Sequence, residues 1–206
     1  MRSSRSFYQV ICSMVAVIVF QSASAESNDW PCQQILVPQV SAAVVWDGPP
    51  VGTETSDWHD DPRVATLVAA ITTPLSNEET AASAIAAFAA GLSAEEKDRV
   101  LTLAFAGVLE TLNRDRAKLV EGIKRYSRDQ SRRAEAIGAE LDAMVRLEKD
   151  PSDAAAARLA ELTERMEIEQ RVFDERERSI EYLCMRPVAV EQRLGFLARR
   201  IAEHLD

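Results

Sequence analysis

The chain has 206 residues, with 24 basic and 33 acidic side chains and a net charge of −9. That length permits one domain with a genuine hydrophobic core, and the acidic balance argues against non-specific binding to nucleic acid or anionic lipid. Few glycines, an aromatic content of 6% and abundant Ala, Glu, Arg and Leu point to helices.

The first 25 residues read as a secretory signal peptide. Arg2 and Arg5 give a positive start, Val10 to Phe20 is apolar, and Ala23-Ser24-Ala25 is a cleavage signal. The apolar run is shorter than the ~20 residues of a bilayer span, so no stable membrane span is expected after cleavage. An uncleaved anchor is the competing reading. Cleavage removes Arg2 and Arg5 and no acid, leaving 22 basic against 33 acidic residues, a charge of −11. Cys12 leaves with the leader, and Cys32 and Cys184 remain. An even pair in an exported protein predicts a disulfide. It closes a loop worth about 5 kcal/mol in the chain-entropy model. Two free thiols are the alternative, although the C-x-x-C spacing of thiol oxidoreductases is absent.

Residues 26–61 differ from the rest. They hold Trp30, Trp46 and Trp58, and the prolines Pro31, Pro38, Pro49 and Pro50. An extended segment is predicted, with one helical turn near Val40, Ala43 and Val44 and a tight turn at Trp46-Asp47-Gly48-Pro49-Pro50. A segment this long needs a pin, and Cys32 supplies one. The tryptophans either pack this segment onto the helices or form an exposed aromatic patch for a partner.

Residues 62–206 form the helical domain. Asp61-Pro62 is an N-cap followed by a first helical residue, and Val64, Leu67, Val68 and Ile71 keep helical spacing up to Pro74. Ser76-Asn77-Glu78-Glu79 reads as a capping box for a second, alanine-rich helix that Gly91 stops. Ser93-Ala94-Glu95-Glu96 reads as another and opens a long helix. Its apolar seam is Leu101, Phe105, Val108, Leu112, Leu119, Ile123, Tyr126, Ile137, Leu141 and Met144. Gly107, Gly122 and Gly138 each weaken it by about 1 kcal/mol relative to Ala. Asp150-Pro151 predicts a fold point with a fresh cap. The return arm carries Leu159, Leu162, Met166, Phe173, Ile180 and Leu183, and Pro187 is expected to end it. A last helix carries Val190, Leu194, Leu197 and Ile201. The expected fold is therefore all-α: a coiled-coil-like antiparallel hairpin, about 95–149 and 152–185, with short N-terminal helices, a C-terminal helix and the Trp/Pro-rich extended segment.

Folding about residue 151 sets Arg125 near Arg176, Arg128 near Phe173 and Arg132 near Glu169. A basic cluster, Lys124, Arg125, Arg128, Arg132 and Arg133, then faces the acid-rich Glu164, Glu167, Glu169, Asp174, Glu175 and Glu177. Opposite charges across a seam set register. The competing reading makes Arg125, Arg128 and Arg132 a docking patch for an acidic partner.

Catalytic patterns are absent. No Gly-x-Ser-x-Gly, Walker loop, Rossmann fingerprint or haem-attachment motif occurs, so no enzyme activity and no cofactor is expected. Of the two histidines, His204 sits in a last helical turn, where a cation suits the helix dipole. His59 and Asp60 are weak metal candidates, because Asp61 beside them serves as a helix cap.

Trp30-Pro31-Cys32-Gln33-Gln34, Val37-Pro38 and Trp46-Asp47-Gly48-Pro49, with Phe173-Asp174-Glu175-Arg176 and Tyr182-x-Cys184-x-x-Pro187 further on, resemble a family of exported helical proteins from alphaproteobacteria. The resemblance covers most of the chain after the leader. It implies a bacterial periplasmic setting and carries over no catalytic residue. The expected function is a non-enzymatic periplasmic or secreted interaction protein, an adaptor, holding chaperone or assembly factor. Its partner would be another periplasmic or envelope protein, or a second copy meeting it through the hairpin. The alternative is a small-ligand or metal-binding protein using the tryptophan segment and His59.

Overall fold

The computed structural model describes residues 29–206, and the leader read at 1–25 lies outside them. Every regular element among the described residues is helical. Ser41 caps a single turn, α1 (Ala42–Val45), by accepting from the Ala43 amide. A 3-10 stretch, Thr53–Asp60, kinks at Asp57. Asp61 then starts α2 (Pro62–Thr72), its carboxylate accepting from the amides of Arg63 and Val64 at 2.9 and 3.4 Å. Two of the open donors of a helix start are satisfied this way.

For α3 (Glu78–Ala90) the cap is Asn77 rather than Ser76: Asn77 Oδ1 accepts from the Thr80 amide at 2.8 Å. Asn caps as well as Ser, so the helix starts one residue later, with Thr80 rather than Glu79 as its third residue. Gly91 ends α3 as expected. Ala81, Ile85 and Ala89 make its buried face, and the small side chains let neighbouring helices approach.

Two helices make up most of the molecule, α4 (Ala94–Leu147, 54 residues) and α5 (Asp153–Ala202, 50 residues). At 1.5 Å per residue they run about 80 and 75 Å. Ser93 holds the N-cap position of α4 but makes no side-chain cap bond; the acidic Glu95 and Glu96 suit the positive end of the helix. The turn between the long helices differs from the expected cap at Asp150. Asp150 Oδ1 accepts from the Ser152 amide at 2.9 Å, and Ser152 Oγ accepts from the Ala155 amide at 3.2 Å. Ser152 is therefore the cap, and Pro151 sits in the turn.

The return arm does not end at Pro187. α5 runs through it, and the proline is fully buried. An internal proline removes one helix hydrogen bond and crowds the preceding turn. Here its ring takes a place in the seam: Leu183, Pro187, Val190, Leu194, Leu197 and Ile201 keep the 3-4 alternation of a coiled coil. Burial on that face holds the helix together, and the expected C-terminal helix is the continuation of the return arm.

The pairing register also shifts. Tyr126 Oη donates to the Arg176 carbonyl at 3.1 Å, Gln130 Nε2 to the Phe173 carbonyl at 3.0 Å, and Arg133 Nη1 to Glu169 at 3.1 Å. The expected neighbours Arg125, Arg128 and Arg132 flank this seam instead of filling it. The reason is heptad phase: from Ile123 the seam must continue Tyr126, Gln130, Arg133, Ile137, and two of these are polar.

The core lies at the base of the hairpin. Phe105, Leu101, Ile71, Ile85, Leu194, Leu197 and Ile201 are fully buried where α2, α3, the start of α4 and the end of α5 meet. A smaller cluster of Trp30, Cys32, Val120 and Ile123 lies further along α4. Beyond Arg128, among the described residues, the molecule is two helices wide, for about 29 Å to the tip.

Candidate functional site

Residues 29–46 form a strap that runs antiparallel to α4 along one flank of the hairpin. Asp29 meets Arg128 at 2.9 Å. Trp30 packs on Val120 and Ile123, and Cys32 is bonded to Cys184, with Cα atoms 5.6 Å apart. Gln34 Nε2 donates to the Cys184 carbonyl at 2.8 Å. Further down, Arg116 Nη1 donates to the carbonyls of Val37 (2.6 Å) and Pro38 (3.3 Å). Asn113 clamps Val40, accepting from its amide at 2.9 Å and donating to its carbonyl at 3.0 Å. A backbone without sheet partners needs such side chains, because a buried unpaired amide or carbonyl is costly.

The three tryptophans are core residues. Trp30, Trp46 and Trp58 are 8%, 9% and 5% exposed, so the exposed aromatic patch considered from the sequence does not form from them. Each buried indole N–H has an acceptor: the Gln34 carbonyl, the Pro49 carbonyl and Glu110 Oε2, at 2.8, 2.8 and 2.9 Å. That satisfies the polar end of a large apolar ring. Trp46 stacks on Phe105 at 4.1 Å between centroids with planes 4° apart. Two glycines make room. A Cβ on Gly48 would lie 2.4 Å from the Trp46 ring, and one on Gly107 would lie 2.7 Å from the Trp58 ring.

The basic cluster does not present one docking patch. Arg128 pairs with Asp29 of the strap, Arg132 with Asp129 on its own helix, Arg133 with Glu169 across the seam and Lys124 with Glu121. Arg125 stays exposed. Of the facing acids, Glu169 answers the cluster among the described residues. Glu164 and Glu167 are exposed and make no ion pair among the described residues.

His59 lies against Trp58, with its Nε2 3.9 Å from Glu110 Oε1. Asp60 is exposed, and Asp61 is engaged by Arg63. Among the described residues no three His, Cys, Asp or Glu side chains converge as metal ligands. The Arg63 guanidinium, with the Arg63 and Val64 amides, holds the Asp61 carboxyl below its ordinary range. Burial pushes the Arg193 guanidinium down, against the pull of Glu78, while its Nη2 donates to the Ile71 carbonyl at 2.9 Å.

Sequence reasoning missed the polar groups that organise the site: Asn113, Arg116 and Gln130. Arg116 and Gln130 are each 4% exposed. Gln130 accepts from Arg176 Nε at 3.0 Å while donating to Phe173, and Arg176 lies over the Tyr126 ring at 4.1 Å. The available signal was spacing: Leu112, Arg116, Leu119, Ile123, Tyr126 and Gln130 alternate by four and three, so the polar members sit in the seam.

Two surfaces stay open. A shallow groove of about 870 Å³ lies beside the disulfide, lined by Pro31, Gln33, Ile180, Met185, Val188 and Gln192 among others. On the arm, Leu141 and Val145 are each 49% exposed and Ile168 is 56% exposed. Among the described residues no helix is long and apolar enough to cross a membrane. The chain matches no protein-family model, no curated protein and no solved structure.

Proposed function

We propose that this chain is a non-enzymatic interaction protein of the bacterial periplasm, an adaptor, holding chaperone or assembly factor that engages an envelope protein through its hairpin. One observation carries the reading. Beyond Arg128 the arm is only two helices wide among the described residues, yet Leu141, Val145 and Ile168 stand about half exposed on it. Apolar side chains on a projecting arm suit contact with a partner. At the base, by contrast, Phe105, Ile71, Ile85 and Leu197 are fully buried where the helices meet. The secretory pattern of the leader and the Cys32–Cys184 disulfide support an oxidising compartment.

Photo-crosslinking in intact cells tests this. A photoreactive residue at position 141 or 145 is expected to yield defined adducts. The same probe at Leu75, 94% exposed at the base, is expected to yield none. Equal labelling at the two places, or none on the arm, refutes the reading. Fractionation that finds the protein in the cytoplasm with Cys32 and Cys184 reduced refutes the location.

A further inference from the structure

Seven-residue steps along a coiled coil stay on one flank. Asn113 and Val120 of α4 and Cys184 of α5 hold the strap, so their flank continues through Ala134 and Leu141 on α4 and through Thr163 and Ala156 on α5. Gly138, Val145 and Ala160 lie beside these. Among the described residues the strap covers the flank only as far as Asp29, at Arg128. Beyond that the same groove is open, with Leu141 and Val145 half exposed and a shallow depression along Ala156, Leu159 and Ala160.

The rims of this open stretch are acidic on both helices. Glu135 and Asp142 flank it on α4, and Glu164 and Glu167 on α5. All four are exposed and make no ion pair among the described residues. Lys149 and Arg171 are the cations along these edges. The opposite groove is of mixed sign, with Arg165 paired to Glu140, Arg158 paired to Glu161, and Arg146 and Asp150 beside them. A second copy laid on the open flank would bring carboxylate rims against carboxylate rims, which like-charge repulsion disfavours. A helix carrying an apolar stripe between lysines or arginines complements both the strip and its rims.

We infer that the distal flank of the hairpin, centred on Leu141 and Val145, docks a basic amphipathic helix of a partner protein, in line with the groove that the strap fills. This rests on the interaction reading above and names the partner's chemistry. The bound helix makes a third member of the arm, burying the apolar residues of the two-helix face.

The test is a labelled 18-residue helical peptide of leucine and lysine in heptad order, titrated into the full-chain protein by fluorescence anisotropy. A peptide with glutamate for lysine serves as the comparison. The lysine peptide is expected to bind at least tenfold more tightly. Leu141→Asp with Val145→Asp adds negative charge, so attraction by charge alone rises while docking falls; at least a tenfold loss is expected. Glu164→Lys with Glu167→Lys keeps the apolar strip and is expected to lose as much. Leu75→Asp, at the base and 94% exposed in the parent, is expected to change nothing, and circular dichroism verifies the fold of each variant. Tighter binding by the Leu141/Val145 variant overturns the inference, as does equal binding of the two peptides. A dimer that dissociates on Leu141→Asp assigns the flank to a second copy, and binding seen only after removal of residues 1–28 assigns it to the chain's own N-terminus; either result overturns it. Arm-specific crosslinks combined with no charge discrimination sink this inference alone, whereas absence of arm crosslinks sinks the interaction reading beneath it.

Discussion

Arg116 and Glu191 meet across the hairpin, Nε to Oε1 at 2.6 Å, and the same guanidinium holds the carbonyls of Val37 and Pro38. One side chain therefore joins α4, α5 and the strap. The Arg116 side chain is 5% exposed and that of Glu191 39%, so water screens the acid end and the arginine carries most of the burial. Arg116→Met keeps the stem and removes the hydrogen bonds. It is expected to cost about 2 kcal/mol in urea unfolding and to speed hydrogen exchange at the Val40 amide, which Asn113 holds nearby. An unchanged midpoint with unchanged exchange contradicts this.

The disulfide acts on the same strap from its other end. Cys32→Ser with Cys184→Ser leaves α4 and α5 helical, because their seam does not involve the bond. Exchange protection over residues 29–36 is expected to fall, while Trp46 stays packed on Phe105. Unfolding stability is expected to drop by up to about 5 kcal/mol, the chain-entropy value for so long a loop. Unaltered stability and exchange would show that Arg116 and Asn113 suffice.

Glycines in α4 are expected to answer in opposite directions. A Cβ on Gly107 would lie 2.7 Å from the Trp58 ring and 2.8 Å from a Val68 methyl, whereas none lies within 4 Å at Gly138. Gly107→Ala is expected to destabilise by about 1–3 kcal/mol through overpacking. Gly138→Ala is expected to stabilise by about 1 kcal/mol through helix propensity. Thermal unfolding of the two variants decides it.

Acid should loosen the start of α2. The Asp61 carboxyl is held low chiefly by the Arg63 guanidinium, then by backbone amides. A carboxyl depressed in the fold favours the native state when ionised. Its contribution is complete above the ordinary carboxylate value of about 3.9 and is lost as pH falls through the lower folded value. Asp61→Asn keeps a capping oxygen but no charge. The variant is expected to be less stable than the parent at pH 7, and the gap should close as the pH falls below about 4. A gap independent of pH rules out the charge as its cause.

The helices were legible because their causes are local. Asp61 and Pro62, the apolar spacing of Val64 to Ile71, and Gly91 each act within a turn or two of chain. Where reading by residue type failed, two local signals competed. Pro187 is a helix breaker in isolation, but the apolar phase passes through it from Leu183 to Val190 without resetting, and burial on both sides outweighs one lost hydrogen bond. Gln130 and Arg133 are polar, so residue type alone does not mark them as seam. They are seam residues because Ile123 and Ile137 fix the phase around them.

The sequence by itself determined the all-α class and the separate character of the tryptophan segment, and it pointed to the pairing of Cys32 with Cys184, since each follows from composition, cysteine number or short-range pattern. Only the tertiary structure decided that the tryptophans are core, that Arg116 and Asn113 grip the strap, and that the arm's distal flank is left open between acidic rims. Those outcomes depend on residues 52 to 152 positions apart meeting at one place, as Trp58 meets Glu110 and Cys32 meets Cys184. No local propensity encodes such a meeting; the packing of the whole chain sets it.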